Sequence, residues 1–147
     1  MRATIARPLR SRKRAAASSA APPAAWAGVT LPVYATSMSV NPRAEAIVNL
    51  DLQGLRYGEM PWFIQPDHPA VMVYPQPRIA MSVEQERLYA LGIDAYRLAL
   101  LLVRGDVARN PLDGVTGRIT LEPGHTFARA LAPAEVDGGR VIPLRPQ

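Results

Sequence analysis

The side chains that could carry chemistry are few, and they do not gather. The only imidazoles are His68 and His125. Each stands in a proline- or glycine-rich stretch, with no Asp, Glu or His at a spacing that brings several metal donors together. Both read as solvated turn residues. Ser37 follows a short apolar run, a position that can present a side chain at the carboxyl edge of a sheet. It lacks the G-x-S-x-G elbow and a matching base and orienting acid. The GVTG stretch (residues 114–117) has the wrong spacing for a phosphate loop and precedes a strand rather than a helix. Glu84 and Glu86 fall on different sides of a helix and suit its positive end. Asp94 and Arg97, three apart, read as a surface ion pair. No catalytic residue, metal site or cofactor site is expected, and the chain does not read as an enzyme.

Two other features could bind partners. The RSRKR run (residues 10–14) could attract phosphates of nucleic acid or of an anionic membrane. The MPWF cluster (residues 60–63) could anchor a protein partner or pack in a core, and core packing is the reading preferred. Charge distribution bears on the first. Net charge is +5, yet six of the 17 basic residues and none of the acids lie in residues 1–28. The other 119 residues are close to neutral, which argues against a nucleic-acid-binding face. With 16 arginines and one lysine, the basic residues reflect codon bias rather than arginine chemistry. Cysteine is absent, which excludes disulfides, thiolate metal sites and a lipid-modified N-terminal cysteine. No apolar stretch is long enough to span a bilayer as a helix.

The elements that must position these residues follow from pattern. Residues 1–28 read as a disordered, basic, Ala/Pro-rich leader. Such letters fit a secretory signal without its apolar core, a transit peptide, or a start placed inside a longer gene. Residues 29–147 hold the ordered part, one modest domain. Residues 31–35 predict a strand buried on both faces, and Asn41 with Pro42 opens a helix over residues 43–49. Residues 55–63 predict a strand or extended crossover broken at Pro61, and residues 65–77, with four prolines, predict a loop. Ser82 and Gln85 have capping-box spacing. Leu88, Leu91, Ala95, Leu98 and Leu102 then make one apolar face of a helix over residues 82–103, with a bend at Gly92 and an end at Gly105. Residues 114–121 and 126–131 predict a β-hairpin, and a turn at residues 137–139 leads to a short strand at Val141 and Ile142. The fold class is α/β.

Taken in order, five pieces resemble the C-terminal region of the LppC-type penicillin-binding-protein activators: LPVYATS (31–37), NLDLQG (49–54), EMPW (59–62), RLYALGIDAYRLA (87–99) and PLDGVTGRITLEPG (111–124). The resemblance implies part of a type I periplasmic-binding-protein fold, with pieces of two α/β lobes joined by crossovers and a C-terminal β-hairpin. The first strand would lie in one lobe, the long helix in the other, and the final hairpin back in the first. It also implies an N-terminally truncated form, because the lipobox cysteine, the helical-repeat domain and the first strands of the binding-protein domain have no counterpart.

The same resemblance implies a lipoprotein family on the periplasmic face of the outer membrane. Its members bind and stimulate a bifunctional peptidoglycan synthase without doing chemistry themselves. A second reading makes the chain a small-molecule binding module. Thr36 and Ser37 would then be contacts at a strand's carboxyl end, with Trp62 and Tyr96 as cleft walls. A third, a small basic nucleic-acid-associated protein, rests wholly on residues 2–14.

Overall fold

The computed structural model describes residues 31–106 and 110–144, so the leader of residues 1–28 lies outside the described residues. In chain order come β1 (Val33–Tyr34), a 3-10 turn (Ser37–Ser39), a 3-10 helix (Ala46–Leu52) and β2 (Leu55–Glu59). Two one-turn helices follow, α1 (Pro61–Ile64) and α2 (Pro69–Met72), then the long helix α3 (Val83–Arg104). The rest is strand: β3 (Leu112–Gly114), β4 (Gly117–Glu122), β5 (Thr126–Ala130), β6 (Ala132–Asp137) and β7 (Arg140–Pro143). One sheet has the order β1-β2-β6-β7, in which only β1 and β2 run parallel, and the other is antiparallel β3-β4-β5.

Alternation in β2 builds the first core. Leu55, Tyr57 and Glu59 point inward, and Arg56 and Gly58 are half-exposed. Leu55 and Tyr57 pack with Val40, Ile64, Ala134 and Val136. The second core joins Met60, Trp62, Ala70, Val71, Ala90 and Val115, with Trp62 meeting the Tyr89 ring edge-on at 5.6 Å. The chain therefore passes from one core to the other at Glu59 and Met60, and returns where β5 gives way to β6. At the return, Leu131 lies on Gly58, where any Cβ would stand 3.0 Å from the Cβ of Leu131. Two α/β parts joined by crossovers are thus present, as the sequence implies.

The long helix starts and stops on the expected signals. Ser82 Oγ accepts from the Gln85 N–H (3.3 Å) and Gln85 Oε1 accepts from the Ser82 N–H (2.9 Å), completing the capping box. Gly105 ends it in a left-handed conformation, φ 72°. The helix runs on through Gly92 without a break.

Several expectations need correction. The strand at residues 31–35 shrinks to Val33–Tyr34 and is not buried: Tyr34 is 70% exposed, because β1 is an edge strand. Asn41 Oδ1 does accept from the Arg43 N–H (3.0 Å), but the helix that follows is 3-10 and begins only at Ala46. Residues 60–63 are not extended. Pro61, with no N–H to offer a ladder, takes the first position of α1. The proline-rich loop holds a helical turn, α2, opened by Pro69.

Strand β4 begins only at Gly117: Gly114 ends β3, and Val115 and Thr116 form the tight turn between the two strands. The hairpin over residues 114–131 stays with α3. The pair that returns to the first sheet is β6 and β7, joined by Gly138 and Gly139, both at positive φ as a two-residue hairpin turn requires. The largest correction concerns α3. Its expected core face is the outward one: Leu88 is 68% and Leu102 51% exposed, while Ala90 and Asp94 are buried.

Tyr57 generates a prediction. Its hydroxyl is buried without a hydrogen-bond partner, and burial, with the nearby Glu59 carboxylate, pushes its pKa well above the usual tyrosine value. The folded chain keeps this proton at pH values where the unfolded chain has lost it. Stability is therefore full below about pH 10 and falls as pH rises beyond it. Tyr57→Phe removes an unsatisfied group and should raise unfolding stability by about 1 kcal/mol. Urea denaturation at pH 8 and pH 11 checks both points, with the variant losing less stability at the higher pH.

Candidate functional site

The polar centre of the molecule is a charged pair at the crossover. Arg87, just past the first turn of α3, turns its guanidinium onto Glu59 at the end of β2. Nη1 donates to Oε1 at 2.6 Å and Nη2 to Oε2 at 2.8 Å, a bidentate fit. Glu59 is fully buried, and its Oε1 also accepts from the Met60 N–H at 2.8 Å. Arg87 Nη2 reaches the Ser37 carbonyl at 3.3 Å. One guanidinium thus ties together the helix, the crossover and the segment after β1.

A second cation stands beside it. The Arg87 and Arg43 guanidiniums lie 5.0 and 5.1 Å from the centroid of the Phe63 ring. Arg43 is held by Glu86 at 2.8 Å, and the same carboxylate oxygen accepts from the Trp62 indole N–H at 3.4 Å. Every charge here has an opposite partner.

Next to this cluster opens a cavity of about 350 Å³, lined by Ser37, Val40, Asn49, Val83, Glu84 and Arg87 among others. Asn49 is buried and donates to the Asn41 carbonyl at 2.9 Å. Glu84 accepts from the Ser82 hydroxyl at 2.8 Å, which holds its pKa below the usual carboxylate value. The cavity offers two carboxylates, Asp51 and Glu84, two serines, Ser37 and Ser39, and apolar walls. It holds no imidazole, and among the described residues no three His, Asp or Glu groups converge as metal ligands.

A second anchor was missed from sequence. Asp94 is not on the surface but buried in the inner side of α3. Its carboxylate accepts from the Val115 N–H (3.1 Å), the Thr116 N–H (2.8 Å) and the Thr116 hydroxyl (2.7 Å). Arg97 reaches it at 3.4 Å, so the expected pair forms, half-buried. The GVTG stretch is thereby explained. A Cβ on Gly114 would collide with Asp94 Oδ2, and one on Gly117 with the Ala130 carbonyl. The available signal was a lone acid in the otherwise uncharged middle of the helix, residues 88–96.

His68 also departs from the solvated-turn reading. Its Nδ1 accepts from the Ala70 N–H at 3.2 Å, capping α2, and its Nε2 lies 3.4 Å from Asp113 Oδ1. His125 is exposed in the β4–β5 turn, at φ 61°.

Of the four residues expected at a binding site, Ser37 lines the cavity and Thr36 precedes it, exposed. Trp62 is 2% exposed and belongs to the second core. Tyr96 is 67% exposed, about 13 Å along α3 from Arg87. The structure does not bring Trp62 or Tyr96 to the cavity. Arg87, Glu84 and Asn49 line it instead, and sequence reasoning did not single out Arg87 or Asn49.

Known proteins resemble the chain along most of its length. Residues 19–139 match the family described as "LppC putative lipoprotein". The chain is 32% identical over 117 residues to the penicillin-binding protein activator LpoA of Enterobacter sp. (strain 638), covering 79% of the chain and 16% of that protein. It is 30% identical over 118 residues to LpoA of Escherichia coli (strain K12), covering 80% and 17%. The chain therefore spans about a sixth of the curated relatives it matches. Among solved structures, a Chromobacterium violaceum protein described as a "putative branched-chain amino acid ABC transporter" is 43% identical, with TM-score 0.62 over 74% of this chain and 36% of that one. The C-domain of LpoA from Haemophilus influenzae, described as a regulator of PBP1A, shares the fold at 19% identity. Its TM-score is 0.63 over 79% and 37% of the two chains.

The buried pair generates a prediction. Arg87→Ala strands a buried carboxylate and should cost about 3–5 kcal/mol of unfolding stability. Replacing both partners, Glu59→Gln with Arg87→Met, should recover most of that loss, because no uncompensated charge remains. Urea titration followed by tryptophan fluorescence reads both changes, since Trp62 sits beside the pair.

Proposed function

The chain belongs to the LppC family, and from that premise we propose that it is a non-catalytic regulator of peptidoglycan synthesis that works by binding a penicillin-binding protein. The observation that carries this reading is the 32% identity, across 79% of the chain, with a protein named as a penicillin-binding protein activator. The partner is a bifunctional synthase. The place of action is the periplasm, at the inner face of the outer membrane. Because the chain matches only about a sixth of those relatives, the activity of the whole protein comes to it as part of this proposal. The engaged state of its buried charges fits a scaffold better than an active site: Glu59, Asp94 and Arg87 are all bonded to groups within the chain.

A pull-down with a purified bifunctional synthase tests the reading. Binding should persist when residues 1–28 are deleted. Loss of all binding on that deletion would move the interaction to the basic leader and sink the proposal.

A second reading has its own support. The cavity beside Ser37 and the 43% identity to a protein described as a "putative branched-chain amino acid ABC transporter" favour a small-molecule module for amino-acid-like or muropeptide ligands. In a thermal-shift screen with amino acids and muropeptides, a binder should raise Tm, and Ser37→Trp, which fills the cavity, should abolish the shift. No shift with any of them removes this reading.

A further inference from the structure

The cavity beside Arg87 is lined by negative charge that nothing described in the chain answers. Arg87 itself is held bidentately by Glu59, so that pair is neutral as a unit. Asp51 and Glu84 also line the cavity, and among the described residues no cation pairs with either carboxylate. Glu84 accepts from the Ser82 hydroxyl, which favours its charged form. The N-terminus of α3 opens on the same space and would by itself attract an anion. The capping box, with Glu84 and Glu86 in the first turn, already answers that end of the helix.

A third acceptor points the same way. Asn49 lines the cavity and is only 3% exposed. Its Nδ2 donates to the Asn41 carbonyl at 2.9 Å and reaches the Gly139 carbonyl at 3.5 Å, which orients the amide. Among the described residues nothing donates to its Oδ1. That oxygen keeps contact with solvent, and the space that Asn49 borders is this cavity.

Acceptors and negative charge without matching donors call for a ligand that only donates. A protonated primary amine offers three N–H donors and no acceptor. The walls narrow the choice. Val40, Leu52 and Val83 suit a hydrocarbon stem, and no aromatic ring lines the cavity to cage a quaternary ammonium. A volume of about 350 Å³ fits a small ligand. In a free amino acid the carboxylate stands beside the ammonium, so it would meet Asp51 and Glu84 with no uncommitted cation to receive it. We infer that the cavity binds a small aliphatic primary amine with no acidic group near its nitrogen. Asn49 Oδ1 accepts from the ammonium, and Asp51 and Glu84 supply the countercharge. This inference rests on the small-molecule reading of the cavity and narrows its ligand class from amino-acid-like compounds to amines.

Three compounds with one branched stem separate the classes. Isoamylamine carries the ammonium alone, isocaproate the carboxylate alone, and leucine both. In an NMR titration of the isotope-labelled full chain, isoamylamine should shift the amides of Ser39, Asn49 and Val83 saturably. Leucine should bind about tenfold more weakly, and isocaproate should leave those amides unmoved. Asp51→Asn combined with Glu84→Gln should weaken isoamylamine binding about tenfold. The far-UV circular dichroism of that variant should stay at the parent value, because both side chains are exposed. Leucine or isocaproate binding as tightly as isoamylamine overturns the amine assignment and leaves the small-molecule reading standing. Amine binding that survives the double substitution does the same. No saturable shift with any of the three also overturns the assignment, and the small-molecule reading falls with it only if muropeptides fail in the thermal-shift screen.

Discussion

The rest of the structure depends on one buried ion pair. Glu59 sits at the end of β2, where the chain leaves one core for the other, and its carboxylate has no access to water. An isolated charge at such a place would be strongly unfavourable, so the position exists only because Arg87 answers it bidentately and the Met60 N–H adds a third bond. The requirement then spreads. Arg87 can reach Glu59 only if α3 starts where Ser82 caps it, and a second N–H of its Nη2 bonds the Ser37 carbonyl. Such a pair adds little net stability over an apolar equivalent, but it specifies one register of helix against crossover.

Asp94 repeats the principle two turns further on. Three donors from a two-residue turn converge on its carboxylate, so these hydrogen bonds, together with the buried Val115, locate the β3–β4 hairpin against α3. The inner side of α3 therefore joins two polar anchors to the apolar contacts of Tyr89, Ala90 and Ile93, while most of its leucines turn outward.

That inversion explains what could and could not be read in advance. The ends of α3 were legible because capping chemistry is local: Ser82, Gln85 and Gly105 act within a turn of themselves. The hairpin turn at Gly138 and Gly139 and the β4–β5 pair were legible for the same reason. The phase of α3 was not, since periodicity reports which face is apolar and not which face the available chain covers. Strand β6 escaped notice because Pro133 and two small alanines interrupt the pattern, and only its pairing with β2 and β7 makes it a strand. At the candidate site, Ser37 was found through its place after a strand. Arg87 was not, because nothing in its neighbourhood along the chain points to Glu59, twenty-eight residues away.

The double crossing has a mechanical consequence. Strand β2 carries the chain out of the first sheet and β6 brings it home, and the two lie hydrogen-bonded side by side, Glu59 opposite Ala132 and Gly58 opposite Pro133. A single linking strand would let the two halves swivel. Two strands in register act as a leaf spring: they flex about the axis lying across them and resist both twisting and sliding. Leu131 seated on Gly58 and the Arg87–Glu59 clamp beside it stiffen that spring where the chain crosses between the two halves.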